Sequence, residues 1–196
     1  MLISNIPFYS QHWDLVHWKE LGFKSFADAE YWERSSCGVL CIKMILDYFL
    51  KKSGRVPLPS LFECIQSGVA LGAYQDAVGW SHQGLVTLVK HFGFSATQKN
   101  ISSEKLYAAV DANSLPIISI KWGFKNKKTW KERILFWKKF GGHLAVVVGY
   151  EKNGEVVTGY YVHHTSKIES ENWQQRFVPI ADFTTGYTGR CIVVTF

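Results

Sequence analysis

Residues 35–52 read SSCGVLCIKMILDYFLKK, and this stretch decides the fold. Its apolar residues recur at helical spacing and form a wide face, made up of Val39, Leu40, Ile42, Met44, Ile45, Leu46 and Phe49. Ser36 is the expected N-cap, and Gly54 followed by Pro57 should end the helix. So wide an apolar face predicts a central, largely buried helix from Cys37 to Lys52.

On the C-terminal side of this helix the hydrophobic pattern changes from helical to extended. Helical spacing predicts further helices at 61–67, 82–92 and 102–113. Runs rich in β-branched residues then predict strands at 115–122, 144–150, 156–164, 177–180 and 190–196, with a hairpin turn at Asn153-Gly154. We therefore expect a single α+β domain over 1–196, in which a mainly helical half (1–114) packs on an antiparallel β half (115–196) that carries a basic helical insert at 123–140.

The composition excludes several classes of protein. With 196 residues, 47% hydrophobic and 19% charged, the chain is too apolar for disorder and long enough to bury a core without disulfides. It contains no membrane-spanning apolar run and no signal-peptide pattern. The four cysteines (37, 41, 64 and 191) lack zinc-ligand spacing, and nucleotide-binding motifs are absent. We expect no metal, no cofactor and a reducing cytoplasmic location.

Two residues have the surroundings of a thiol-based active site. Cys37 opens the buried helix, where the partial positive charge of the helix N-terminus favours thiolate over thiol. Gly38, which follows it, would let a substrate backbone approach. His143 follows Gly141-Gly142 and leads into a buried strand. A nucleophilic cysteine needs such a base within reach, although a core cysteine and a structural histidine would give the same pattern.

Five segments occur in an order typical of one peptidase family. They are PFYSQ (7–11), SSCGVLCIKMILDYF (35–49), WSHQGLVTLVKHFGF (80–94), PIISIKW (116–122) and GGHLAVVVGY (141–150). From about residue 6 to 194, the chain resembles cysteine peptidase family thirty-nine, the double-glycine (bacteriocin-processing) peptidases and their stand-alone relatives. That resemblance implies a papain-like fold and a peptide or amide substrate.

The resemblance also implies roles for individual residues. Cys37 matches the nucleophile and His143 the general base, while Gln11 matches the residue whose amide completes the oxyanion hole with the Cys37 backbone N–H. Without the resemblance, Gln11 would be an ordinary polar loop residue. The residues that we expect to contact substrate are Gly38, Trp80, Gly142 and His163.

The third catalytic position departs from the family pattern. Relatives usually have an aspartate, often followed by proline, where this chain reads YYVHHTS at 160–166. His164 aligns best with that acid, His163 lies one residue away, and Thr165 takes the place of the proline. A neutral histidine can orient a ring but supplies no negative charge. The other candidates for the role are Ser166, Asn172 and Asp182, and the two histidines could equally be a polar strand end.

The excess positive charge is concentrated in one segment. Residues 121–140 contain eight Lys or Arg and one Glu, which accounts for more than the formal +6 of the whole chain. Thr129 and Glu132 have capping-box spacing, and aromatic residues form an apolar stripe along the expected helix. An ordinary surface helix, a site for nucleic acid or an anionic membrane, and a wall or lid beside the cleft all fit this pattern.

Two hypotheses follow for the function. The first is a papain-like cysteine peptidase or amide hydrolase that uses Cys37 and His143. The alternative is a papain-like binding module that has lost activity because the third, acidic residue is missing.

Overall fold

The computed structural model describes residues 1–76, 78–121, 124 and 143–196. Its helices are α1 (Phe26–Ser35), α2 (Cys37–Lys52), α3 (Leu61–Ala70), α4 (His82–His91), α5 (Tyr107–Asp111) and α6 (Ile180–Gly186). Its strands are β1 (Tyr74–Gln75), β2 (Gly79–Trp80), β3 (Ser95–Asn100), β4 (Leu115–Ile120), β5 (His143–Asn153), β6 (Val156–His164), β7 (Trp173–Pro179) and β8 (Tyr187–Thr195). Short 3-10 turns lie at Leu15–His17 and Glu169–Glu171.

Six strands form one sheet in the order β3-β8-β4-β5-β6-β7, and every neighbouring pair is antiparallel. Strands β1 and β2 form a separate two-stranded hairpin. The strand that begins at His143 is therefore central, flanked by β4 on one side and β6 on the other. This confirms the predicted α+β class and antiparallel sheet.

Helices cover both faces of the sheet. Alternate residues of β5, such as Leu144, Val146 and Val148, share one buried cluster with α2 and α4. The intervening Ala145 and Val147 belong to a second cluster, to which α5 and α6 contribute. A strand that is buried on both faces needs apolar residues at every position, which explains the near-continuous run at 144–148.

Helix α2 occupies the residues that its pattern predicts, and nearly all of it is buried. Ser36 is the N-cap residue, as predicted, but its side chain makes no capping bond and its buried hydroxyl has no partner in the described part of the chain. The backbone of Ser36 adopts near-helical angles rather than the extended ones of a capping residue, so its Oγ cannot reach the free N–H groups. Gly54 ends the helix at φ 70°, as predicted.

Several elements differ from the sequence-based expectation. Strand β3 lies within the half predicted to be helical, and α6 lies within the half predicted to be β. The helix predicted at 102–113 shortens to α5, and the last two strands begin earlier than predicted. The basic insert at 123–140 lies outside the described residues except for Phe124, so its predicted helix and its suggested contacts with membrane or nucleic acid stay predictions. None of the described helices has the length and apolarity needed to cross a membrane.

Candidate active site

The fold brings Cys37 and His143 together. Cys37 is the first residue of α2 and His143 the first of β5, and the two elements pack against each other through the core. The Cys37 sulfur and the His143 imidazole lie close enough for charge and side-chain hydrogen bonding between them to shift the pKa of both groups. Both residues line a cleft of about 590 Å³ and are partly exposed to it. The Cys37 thiol and the His143 imidazole are therefore neighbours in a cleft that is open to solvent.

One hydrogen bond sets the orientation of the His143 ring. Its Nε2 lies 2.5 Å from the backbone carbonyl oxygen of Thr165. Because a carbonyl oxygen only accepts, Nε2 carries a proton and donates it to Thr165. This leaves Nδ1 as the ring nitrogen available for the interaction with Cys37.

The pKa values of the two groups shift in opposite directions. Burial alone raises the pKa of Cys37, but the charge and hydrogen bond of His143, helped by the N–H groups of Leu144 and Gly38, bring it below its ordinary value. Burial alone lowers the pKa of His143, but the Cys37 thiolate and the Thr165 carbonyl bring it above its ordinary value. Each charged group thus stabilises the other, which favours a thiolate–imidazolium pair.

The third position is filled by a backbone carbonyl, not by the His164 side chain. The Nδ1 of His164 donates to the carbonyl oxygen of Glu171 at 2.6 Å, and its ring meets that of His143 edge-on with centroids 4.8 Å apart. Burial, with the charge of His143, lowers the pKa of His164 to about 4. His164 is therefore a neutral neighbour of His143. The hydrogen bond predicted between the His164 side chain and the His143 ring is not formed. Because β6 ends at His164, the carbonyl of the next residue, Thr165, accepts from the ring instead.

His163 does not line the cleft, contrary to the prediction. It is 1% exposed, accepts a hydrogen bond from the Gln175 N–H at Nδ1 (3.0 Å), and contacts the carbonyl of Ile6 through Nε2 (3.3 Å). Successive residues of a strand point to opposite faces, so His163 and His164 cannot both face the site. His163 instead ties the N-terminal segment and β7 to β6.

The turn that presents the Thr165 carbonyl is held by Asn172. Its Oδ1 accepts from the Ser166 N–H at 3.0 Å, and its Nδ2 donates to the carbonyl oxygens of Ser166 (2.6 Å) and Ile168 (3.1 Å). Two of the alternative third residues, Ser166 and Asn172, therefore shape the turn. The other, Asp182, lies in α6.

The sequence reasoning missed two contributors at this position. The Thr165 carbonyl is one, and Glu171 is the other, because the charge of its carboxylate helps to raise the pKa of His143. Glu171 ends the 3-10 turn that follows β6. Its negative charge, next to the candidate Asn172, is the sequence signal that could have suggested it.

Comparisons with known proteins agree with this geometry at the level of fold. The structure is similar to a double-glycine motif protease from an AMS/PCAT transporter, solved in complex with the leader peptide, at a TM-score of 0.55 over 98% of this chain and 92% of that one, with 17% identity. It is also similar to the peptidase domain of Streptococcus ComA, a bi-functional ABC transporter involved in quorum sensing, at a TM-score of 0.54 over 83% and 91%, with 15% identity. The fold is that of the double-glycine peptidase domains. No protein-family model and no curated protein sequence matches the chain.

Within this double-glycine peptidase fold, Trp80 lines the same cleft as Cys37 and His143. Its indole Nε1 donates to the carbonyl of Ser35 at 2.6 Å, and its ring packs on Gly38. The predicted role of Gly38 is therefore wrong. The space above its Cα is filled by Trp80, since a Cβ there would lie 2.7 Å from the Trp80 Cβ, and no substrate backbone can occupy it.

We expect Gly38→Ala to destabilise the fold by about 1–3 kcal/mol, because the added methyl overpacks against a fixed indole. Urea unfolding would measure the change in the free energy of unfolding. In a Trp80→Gly background the same substitution should cost much less, since both the ring and the Cβ at position 80 are gone. An equal cost in both backgrounds would show that packing against Trp80 is not the cause.

Gln11 is buried in the segment that precedes α1. It is 3% exposed, and its Oε1 has no hydrogen-bond partner in the described part of the chain. Its loop is fixed at Trp13, whose N–H donates to Glu33 of α1 at 3.4 Å and whose indole donates to the carbonyl of Ser10 at 2.9 Å. The oxyanion role of Gln11 stays a prediction, and Gly142 lies outside the described residues.

The other three cysteines, Cys41, Cys64 and Cys191, are buried and free, and they pack in the core. Burial, with the charge of Cys37, raises the pKa of Cys41 far above its ordinary value, so Cys41 stays a thiol. Among residues 1–76, 78–121, 124 and 143–196, no group of three His, Cys, Asp or Glu side chains is arranged to hold a metal ion.

Proposed function

We propose that this protein is a cysteine peptidase that hydrolyses a peptide or amide bond with Cys37 as nucleophile and His143 as general base. The observation that carries the proposal is the Cys37–His143 pair at the N-terminus of α2, open to a cleft. The similarity to a protease solved with its leader peptide supports a peptide as the substrate. The four free cysteines support a reducing compartment such as the cytoplasm.

In the first half of the reaction, the Cys37 thiolate attacks the carbonyl carbon of the substrate. The oxygen of the tetrahedral intermediate is held by the Cys37 backbone N–H and the Gln11 amide. The protonated His143 then gives its Nδ1 proton to the leaving amine as the carbon–nitrogen bond breaks, and an acyl-enzyme thioester results.

In the second half, neutral His143 takes a proton from water, which attacks the thioester. The carbon–sulfur bond breaks, the acid product leaves, and the proton on His143 restores the ion pair with the Cys37 thiolate. Throughout, the Thr165 carbonyl holds Nε2–H, so Nδ1 stays directed at the reacting atoms.

One observation favours the alternative of a non-catalytic binding module. A carbonyl oxygen orients the ring but carries no full negative charge, so it stabilises the imidazolium less than an aspartate would. The charge of Glu171 compensates in part. The alternative therefore depends on whether Cys37 is ionised near neutral pH.

Alkylation by iodoacetamide as a function of pH tests the proposal. We expect the rate for Cys37 to rise with a midpoint below the ordinary cysteine value of about 8.5, because the lowered pKa keeps the thiolate populated at lower pH. Mass spectrometry would assign the label to Cys37, and the buried Cys64 serves as an internal control. A midpoint at or above 8.5 would favour the binding module.

A further inference from the structure

The cleft beside Cys37 and His143 has a charged wall that the proposed mechanism does not use. Arg190, exposed near the start of β8, lines this cleft together with His82 and Ser119. No carboxylate in the described part of the chain lies within ion-pair distance of its guanidinium. The wall therefore presents a positive charge without a described acidic partner.

The backbone places this wall close to the reacting residues. Ser119 pairs across the sheet with Leu144, which directly follows His143. The Ser119 hydroxyl is 2.6 Å from Nε2 of His82, and its carbonyl oxygen accepts from the Thr188 hydroxyl at 3.1 Å. The Arg190 segment is thus fixed to the same strand pair that positions the catalytic base.

Other charged groups of the cleft already have partners. Arg34 is ion-paired with Glu30, and the Asp76 carboxylate accepts from the Tyr31 hydroxyl at 2.8 Å. Burial, together with the charge of Arg190, lowers the pKa of His82, so that side chain is neutral at pH 7. Arg190 is therefore the group of this wall that is suited to bind an anion.

We propose that this wall is a subsite for a carboxylate of the substrate, bound by Arg190 beside His82 and Ser119. The inference rests on the proposed function, because it assumes that the cleft holds a peptide. A guanidinium in a partly enclosed cleft matches the planar geometry of a carboxylate. The carboxylate could belong to a Glu or Asp side chain or to the free C-terminus of a short peptide.

The test measures peptide binding to full-length protein that carries Cys37→Ala, so it needs no turnover. The probes are fluorescently labelled, alanine-rich peptides that contain Gly-Gly and are blocked at both ends. Each peptide of the first set carries one Glu at a different position. The second set has Gln in place of that Glu. A third set carries Gln and a free C-terminal carboxylate. Fluorescence polarisation gives the dissociation constants.

We expect one Glu position, or the free C-terminus, to bind about 10-fold more tightly than its neutral counterpart. Adding Arg190→Gln should remove this preference, and Arg190→Glu should reverse it, so that the neutral peptide binds more tightly than its charged counterpart. The matched control Lys105→Glu, at an exposed position outside the cleft, should leave it unchanged. The preference should also weaken as salt concentration rises.

Equal affinity for all charged and neutral peptides, or no measurable binding of any of them, would overturn the inference. A preference that survives Arg190→Gln would do the same. Failure of the proposed function would show differently, as absence of turnover in the protein with Cys37 intact while the carboxylate preference persists.

Discussion

Cys37→Ala should reduce hydrolysis of any peptide substrate by about 10⁴-fold or more, to the background of the assay. The reason is that no other cysteine can replace the nucleophile, since Cys41, Cys64 and Cys191 are buried. The measurement is the steady-state rate with a fluorogenic peptide, alongside circular dichroism to show that the variant folds.

The same variant should change the titration of His143. The Cys37 thiolate is the largest influence that raises the pKa of His143, and burial opposes it. Without the sulfur, that pKa should fall, which proton NMR of the imidazole can follow. The matched control is Cys64→Ala, which removes a buried thiol away from the cleft and should leave activity intact. Substantial turnover by Cys37→Ala would contradict the assignment of the nucleophile.

The parts of the fold that the sequence predicts well are those whose residues contact the core. Helix α2 and the hairpin of β5 and β6 follow the predicted pattern because apolar residues occupy most of their buried positions. Strand β3 was missed because it pairs only with β8, at the edge of the sheet, and five of its six residues are exposed. Its sequence, SATQKN, is therefore polar, and the hydrogen bonds to β8 define it.

The candidate site shows a different limit of sequence reasoning. The pairing of Cys37 with His143 could be predicted because a thiol and an imidazole are recognisable from residue identity. The group that accepts a hydrogen bond from the His143 ring could not be predicted, because it is the main-chain carbonyl of Thr165. Every residue has such a carbonyl, so the residue type does not indicate which one takes this role. The role of Gly38 was hidden for a related reason, since it depends on Trp80, which reaches it from another element.

The assignment of the third position can be tested through His164. If its side chain were the orienting group, His164→Gln would reduce the rate as strongly as loss of an acid does in related sites. In the structure, however, the His164 side chain is hydrogen-bonded to the Glu171 carbonyl. We therefore expect His164→Gln to have only a small effect on the hydrolysis rate and on the pH midpoint of Cys37 alkylation. Its charge effect is small because His164 is neutral near pH 7, with a pKa of about 4.

His143→Gln should reduce the rate by on the order of 10⁴-fold, because it removes the group that carries the proton in both halves of the reaction. It should also raise the pKa of Cys37 above its ordinary value. The charge and hydrogen bond of His143 are what offset burial in the native protein, and with them gone burial dominates. Iodoacetamide alkylation of Cys37 should then shift to higher pH.

Measuring both the hydrolysis rate and the pH midpoint of Cys37 alkylation distinguishes a catalytic from a structural role for His143. A purely structural histidine would lower stability and activity together, without moving the alkylation midpoint of Cys37. The exposed His91, at the end of α4, provides the matched control, and His91→Gln should change neither quantity. If the midpoint of Cys37 stays unchanged in His143→Gln, then the ion pair does not form in solution. The carbonyl of Thr165 would in that case hold a ring that takes no part in ionising the thiol, and the binding-module alternative would be favoured.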